Sequence, residues 1–152
     1  MTAAPFRYLL RVRYQECDAQ HVVFNARYGD YFDLAVTEFM KAALPGYNAF
    51  DGTFEFQVVR QLTEWKAPAR FDDILEVSVA IAKLGTSSFT AAMAVRRAGE
   101  PDVLVTCETV YVHVDHKTWR PAPLPEHVRI AFTTATLGKV TDHAGYFSAR
   151  PN

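Results

Sequence analysis

Residues 11–40, RVRYQECDAQHVVFNARYGDYFDLAVTEFM, run from the end of a strand through a tight polar corner holding Asp18 into a helix that is apolar on almost every side. This order sets a lone carboxylate just ahead of a helix N-terminus, where backbone amides lack intrahelical partners and favour a nearby oxyanion. From Ala26 to about Ala43, the positions Tyr28, Phe32, Ala35, Phe39 and Ala43 fall on one helical stripe. Tyr31, Leu34 and Met40 widen that stripe beyond the one of an ordinary surface helix. Such a helix needs other elements wrapped around it. It should stop at Leu44-Pro45-Gly46, because proline disfavours helical geometry before it and glycine serves as a terminator.

Working outward, residues 7–14 (RYLLRVRY) alternate toward their end, with Leu10, Val12 and Tyr14 on one face and Arg11 and Arg13 on the other, and read as a first strand. Downstream, residues 54–65, 74–83, 87–97 and 103–115 show alternation or β-branched enrichment. The connections between them have turn chemistry and are too short for a crossover helix: Ala67-Pro68-Ala69 with Phe71-Asp72-Asp73, Leu84-Gly85-Thr86, and Ala98 to Asp102. The expected class is α+β, a curved antiparallel sheet in meander order wrapped around one long central helix. Residues 1–137 are expected to form a single domain, in which 126–137 make a short helix or run irregularly. Residues 138–152 should form a loosely held C-terminal tail.

A chain of 152 residues with 49% hydrophobic side chains can bury one substantial core and has no room for a second domain. Its formal charge of −1 gives no broad basic footprint, which argues against a sequence-independent grip on nucleic acid or an anionic membrane. The opening MTAAPFRYLL lacks a charged leader followed by a long apolar core, and no window reaches bilayer length, so a soluble cytoplasmic protein is expected. Cys17 and Cys107 are too few for a disulfide scaffold and have no metal-ligand spacing. His113, Asp115 and His116 put two potential ligands on one strand face without completing a zinc site. No G-x-S-x-G elbow is present for a serine nucleophile, and there is no internal repeat.

Asp18-Ala19-Gln20-His21-Val22-Val23-Phe24-Asn25-Ala26-Arg27-Tyr28 resembles the active-site signature of hot-dog-fold acyl-CoA thioesterases of the 4-hydroxybenzoyl-CoA thioesterase type. The resemblance continues in order through Tyr31-Phe32, Thr37-Glu38-Phe39, Gly85 to Ser88, Val112 to Asp115 and Pro121 to Pro125, covering roughly residues 7–127. It implies a hot-dog fold whose protomers pair edge to edge into a dimer with two interfacial sites, often a dimer-of-dimers tetramer. It also implies hydrolysis of acyl-CoA to a free acid and CoA, with no metal or redox cofactor. An acyl-carrier-protein substrate stays open.

Thioester hydrolysis needs a nucleophile or a base for water, plus donors aimed at the oxygen that becomes negative. Asp18 fills the first role by either route, and the resemblance assigns the donor to the backbone amide of Asn25. Each residue also has a plainer reading, Asp18 as an Asx-turn and Asn25 as a helix N-cap. Glu16 ranks second to Asp18 as the acid. His21 departs from the family pattern, which has glycine there; it is a candidate pocket residue or a tuner of Asp18, or else an exposed loop side chain. For the acyl pocket the candidates are Phe24, Tyr28, Tyr31 and Phe56; for the CoA arm they are Lys83, Ser88 and Arg120. Two alternatives stand beside hydrolysis: a hot-dog hydratase or dehydratase using an Asp-His pair, and a non-catalytic acyl-CoA-binding module.

Overall fold

A computed structural model describes residues 4–148. The chain runs β1 (Phe6–Arg11), α1 (Tyr28–Ala43), β2 (Glu55–Trp65), β3 (Ile74–Leu84), β4 (Ser88–Arg97), β5 (Val103–Val114), α2 (Glu126–Thr134) and β6 (Val140–Asp142), with 3-10 turns at Tyr14–Glu16 and Asn25–Arg27. The six strands form one sheet in the order β2-β5-β4-β3-β1-β6. Period-two burial decides which face meets α1. Leu75, Val77 and Val79 of β3, Phe89, Ala91, Met93 and Val95 of β4, and Val105, Cys107 and Tyr111 of β5 all join one core with Tyr31, Phe32, Ala35, Phe39 and Met40 of α1. Fully burying each large apolar side chain contributes about 1.5–3 kcal/mol, so the two-sided apolar pattern of α1 is what holds it in the sheet's concavity. Leu34 is the exception on that helix, 42% exposed.

The α+β hot-dog class follows the expectation, while the strand order refines it. Only β3, β4 and β5 form a hairpin-linked meander; β2 pairs with β5 at the far edge, so the 66–73 connection spans the sheet rather than closing a hairpin. Its backbone is held along the way. Lys66 and Ala67 N–H both donate to Leu104 O, Val23 N–H donates to Ala69 O, and Val12 N–H donates to Asp73 O. This connection becomes one wall of the site.

The first strand ends at Arg11. Leu10 and Val12 are buried as expected, but Tyr14 opens the following 3-10 turn and is 77% exposed, because the chain leaves the strand path before reaching it. After Pro125, the open alternative resolves as helix α2, whose Val128 and Phe132 are buried; Phe132 packs on Phe39 and Phe89 at 5.5 and 5.0 Å. Part of the supposed tail is structured. Strand β6 adds to β1 in parallel, His143 N–H donates to Leu9 O at 2.9 Å, and the Tyr8 hydroxyl meets His143 Nδ1 at 3.0 Å. The outer edge of β1 would otherwise leave its peptide groups unpaired, and the β-branched Val140 and Thr141 suit the role. Residues 149–152 of that segment lie outside the described residues. No helix among the described residues is long and apolar enough to cross a membrane.

Candidate active site

The polar corner is a small hairpin. Cys17 and Val23 bridge antiparallel, Asp18 N–H donates to Val22 O at 2.9 Å, and His21 N–H donates to Asp18 O at 3.0 Å. Asp18 Oδ1 accepts the Gln20 N–H at 2.8 Å, which is the Asx-turn of the plainer reading. Tight closure forces the tip residue His21 to φ +66°, the left-handed region in which glycine is at ease. The place where the sequence lacks the family's glycine is therefore a place where the backbone has use for one.

Beyond the hairpin, Phe24 is extended and the 3-10 turn Asn25–Arg27 leads into α1, with Arg27 N–H on Phe24 O at 2.8 Å. Among the described residues no backbone carbonyl takes the Asn25 N–H, as expected at the start of a helical segment. Asp18, Phe24, Asn25 and Tyr28 line one cleft of about 570 Å³ together with Trp65, Lys66 and Pro68. Asp18 also borders a second hollow, of about 630 Å³, shared with Tyr14, His21 and Phe71. Tyr28 is buried, its hydroxyl oxygen accepting the Ala69 N–H at 3.4 Å, and burial raises its pKa above the ordinary tyrosine value.

The structure separates the remaining candidates. Tyr31 is fully buried and turned away from the cleft, donating its hydroxyl to Glu16 Oε1 at 3.0 Å; burial, then Glu16, pushes its pKa far up. Phe56 belongs to an aromatic cluster with Phe54, Phe89 and Tyr111, its ring centroid 5.3–5.6 Å from theirs. Lys83 and Arg120 are exposed and Ser88 half-buried, and none of the three lines the Asp18 cleft of its own protomer. Ser88 sits tight against Gly85, where any side chain would collide with its hydroxyl. Glu16 is not available as an acid. Its buried carboxylate accepts from Arg13 N, Nε and Nη2 and from the Tyr31 hydroxyl. Burial raises its pKa, but these hydrogen bonds outweigh burial and leave it lowered.

Cys17 keeps its proton, since burial and then the charges of Glu16 and Asp18 raise its pKa. Asp115 caps its own turn through the Lys117 and Thr118 N–H groups, and no group of three metal-binding side chains is found among the described residues. Sequence reasoning missed Gln20, Trp65 and Lys66. Trp65-Lys66-Ala67-Pro68 read only as a strand end and turn, and its meeting with the corner depends on the long connection from β2 to β3.

A curved sheet around one long helix, with a cleft at the helix entrance lined by Asp18 and Asn25, is the architecture of the hot-dog thioesterase class. The chain belongs to the Thioesterase-like superfamily, whose pattern it matches over residues 12–132, and it is a thioester hydrolase. It is 32% identical over 133 residues to the acyl-CoA thioester hydrolase YbgC of Escherichia coli O157:H7, spanning 87% of this chain and 98% of the relative. Among solved structures, it resembles the gentisyl-coenzyme A thioesterase BH1999, with TM-score 0.73 and 26% identity over 82% of this chain and 98% of the other. The 1,4-dihydroxy-2-naphthoyl-CoA thioesterase Slr0204 of Synechocystis shares the fold, with TM-score 0.76 at 20% identity over 85% of this chain and 96% of the other.

Proposed function

We propose that the protein hydrolyses an acyl-CoA to a free carboxylic acid and CoA at Asp18, with the Asn25 N–H as oxyanion donor. The observation that carries this reading is the shared cleft: a carboxylate with one oxygen uncommitted and an amide without an acceptor, both among the described residues, line the same cavity. As the thioester carbonyl is attacked, by Asp18 itself or by water it deprotonates, charge grows on the carbonyl oxygen. A donor already fixed there costs no reorganisation at that moment. Two hollows meeting at Asp18 suit a substrate whose acyl and thiol arms diverge from that carbon. Phe24, Tyr28 and Trp65 supply an apolar wall for the acyl group.

The functional unit in this reading is a homodimer. Strand β2 is an edge strand eleven residues long with Val58, Val59, Leu62 and Trp65 each about half exposed, and such an edge pairs readily with its own copy. Lys83, Ser88 and Arg120, none of which lines the Asp18 cleft of its own protomer, are then the candidates for a partner's contribution to the CoA arm. The test is a thiol-release assay over short, long and aromatic acyl-CoAs. Turnover of at least one series is expected, and inertness across all of them overturns the reading.

A further inference from the structure

We infer that Glu16 is the positioning residue of the site, holding the Asp18 carboxylate and the Asn25 amide in register from behind the cleft. The inference rests on the roles given to Asp18 and Asn25 above, while Glu16 itself touches neither cavity wall occupied by substrate in that reading. Its three attachments reach three different segments. The carboxylate takes Arg13 N at 2.8 Å, Arg13 Nε at 3.2 Å and Arg13 Nη2 at 2.9 Å, which fastens the chain as it leaves β1. It takes the Tyr31 hydroxyl at 3.0 Å, which fastens the first turn of α1. Its backbone carbonyl takes the Phe24 N–H at 2.9 Å, which fastens the residue directly before Asn25.

Asp18 lies two residues after this anchor, and Asn25 lies one residue after the peptide it holds. A displacement of Glu16 therefore moves attacking group and oxyanion donor relative to each other, and misplacement by about 1 Å can cost about a hundredfold in rate. A buried carboxylate is a weak source of net stability compared with well-packed apolar groups, yet it tolerates only one arrangement of donors. Here it has four, all of them N–H or O–H. Burial keeps Tyr31 protonated, so that its hydroxyl always donates. Glutamine in place of Glu16 would turn an amide NH2 toward these donors and break the arrangement without changing its size.

The experiment compares Glu16→Gln, Tyr31→Phe and Glu16→Asp with a core control, Val79→Ala, which lies on β3 and is buried away from the cleft. Two readouts are taken: kcat and KM on an acyl-CoA that the wild type turns over, and hydrogen exchange of the Phe24 amide. For Glu16→Gln, kcat is expected to fall about tenfold or more with KM within about twofold, and Tyr31→Phe should fall less. Glu16→Asp should recover part of the loss. In the first two variants the Phe24 amide should exchange about tenfold faster, whereas Val79→Ala lowers the melting temperature but changes neither kcat nor that exchange. Wild-type kcat and unchanged Phe24 exchange in folded Glu16→Gln overturn the inference. Where that variant does not fold, Tyr31→Phe decides on the same terms. A wild type inert on every thioester sinks the hydrolase reading instead, and the exchange measurement still decides whether Glu16 holds the corner.

Discussion

Gln20 donates its backbone N–H to Oδ1 of Asp18 at 2.8 Å, leaving Oδ2 without a protein donor among the described residues. The structural and chemical readings of Asp18 are thereby divided between its two oxygens. Asn in place of Asp18 retains an oxygen for the turn and replaces the free carboxylate oxygen with an amide that neither attacks nor takes a proton. Asp18→Asn should lower turnover by at least about a hundredfold with the melting temperature within about 2 °C of wild type. Thiol release and thermal unfolding of the same preparation check it, and retained turnover in a folded variant assigns the chemistry to another group.

His21 stands at φ +66° with an exposed side chain. A left-handed conformation costs a non-glycine residue about 1–2 kcal/mol, with histidine at the tolerant end, and glycine returns part of that gain through greater freedom of its unfolded chain. His21→Gly should therefore raise the unfolding free energy by about 0.5–1 kcal/mol. Urea unfolding measures the shift. Because the exposed ring borders the second hollow, kcat and KM across several thioesters decide its role: values within about twofold leave it a loop side chain, and a larger change puts it in contact with substrate.

Acid stability should report on Glu16. Its folded pKa lies below the ordinary glutamate value, so the stabilisation it provides is complete above about pH 4.3 and disappears as pH falls through the depressed folded value. Asp142 also carries a lowered pKa, its carboxylate held by the Ala144 and Phe147 N–H groups, and contributes in the same direction. Glu16→Gln isolates the first contribution. The variant should be less stable than wild type at neutral pH, and its stability should decline less steeply below about pH 4.3. Identical slopes in chemical unfolding at a series of pH values would show that Glu16 does not titrate with folding.

Much of the fold was legible because burial leaves a period. Alternation in β3, β4 and β5 and the two-sided apolar stripe of α1 each record a local geometry, and local geometry repeats along the chain. Strand order leaves no such record. Nothing in residues 55–65 says that they pair with β5 rather than β3, so the wall made by Trp65 and Lys66 was invisible. The same limit applied to Tyr31 and Phe56, since an inward-facing aromatic reads alike whether it meets substrate or core. At residues 140–142 the signal was merely short: three residues make a strand only because β1 offers them an open edge.

The free edge of β2 leads to a prediction about assembly. Val58 and Leu62 are 51% and 46% exposed on a strand whose one side pairs with β5 and whose other side has no strand partner among the described residues. Lysine at both positions places charge where a second copy would approach and blunts strand pairing. Wild-type protein should sediment at twice its chain mass of 17.1 kDa, and the Val58→Lys/Leu62→Lys variant at the chain mass. If the partner completes the site, activity falls with the dimer. A monomeric and fully active wild type would refute this assembly.

Trp65 offers a way to change acyl preference without touching the reacting groups. It ends β2, is 52% exposed, and lines the cleft together with Phe24 and Tyr28. An indole that covers about 60 Å² of a bound acyl group contributes about 1.5 kcal/mol, or about tenfold in affinity. Trp65→Ala should thus raise KM about tenfold for aromatic or long-chain acyl-CoAs. For acetyl-CoA, which has too little apolar surface to reach that wall, the change should be within about twofold. Since Asp18 and Asn25 are untouched, kcat on the large substrates should fall much less than kcat/KM. Equal losses on short and large substrates would mean that Trp65 contacts the thiol arm common to all of them, and the acyl group would then belong in the second hollow, beside Tyr14 and Phe71.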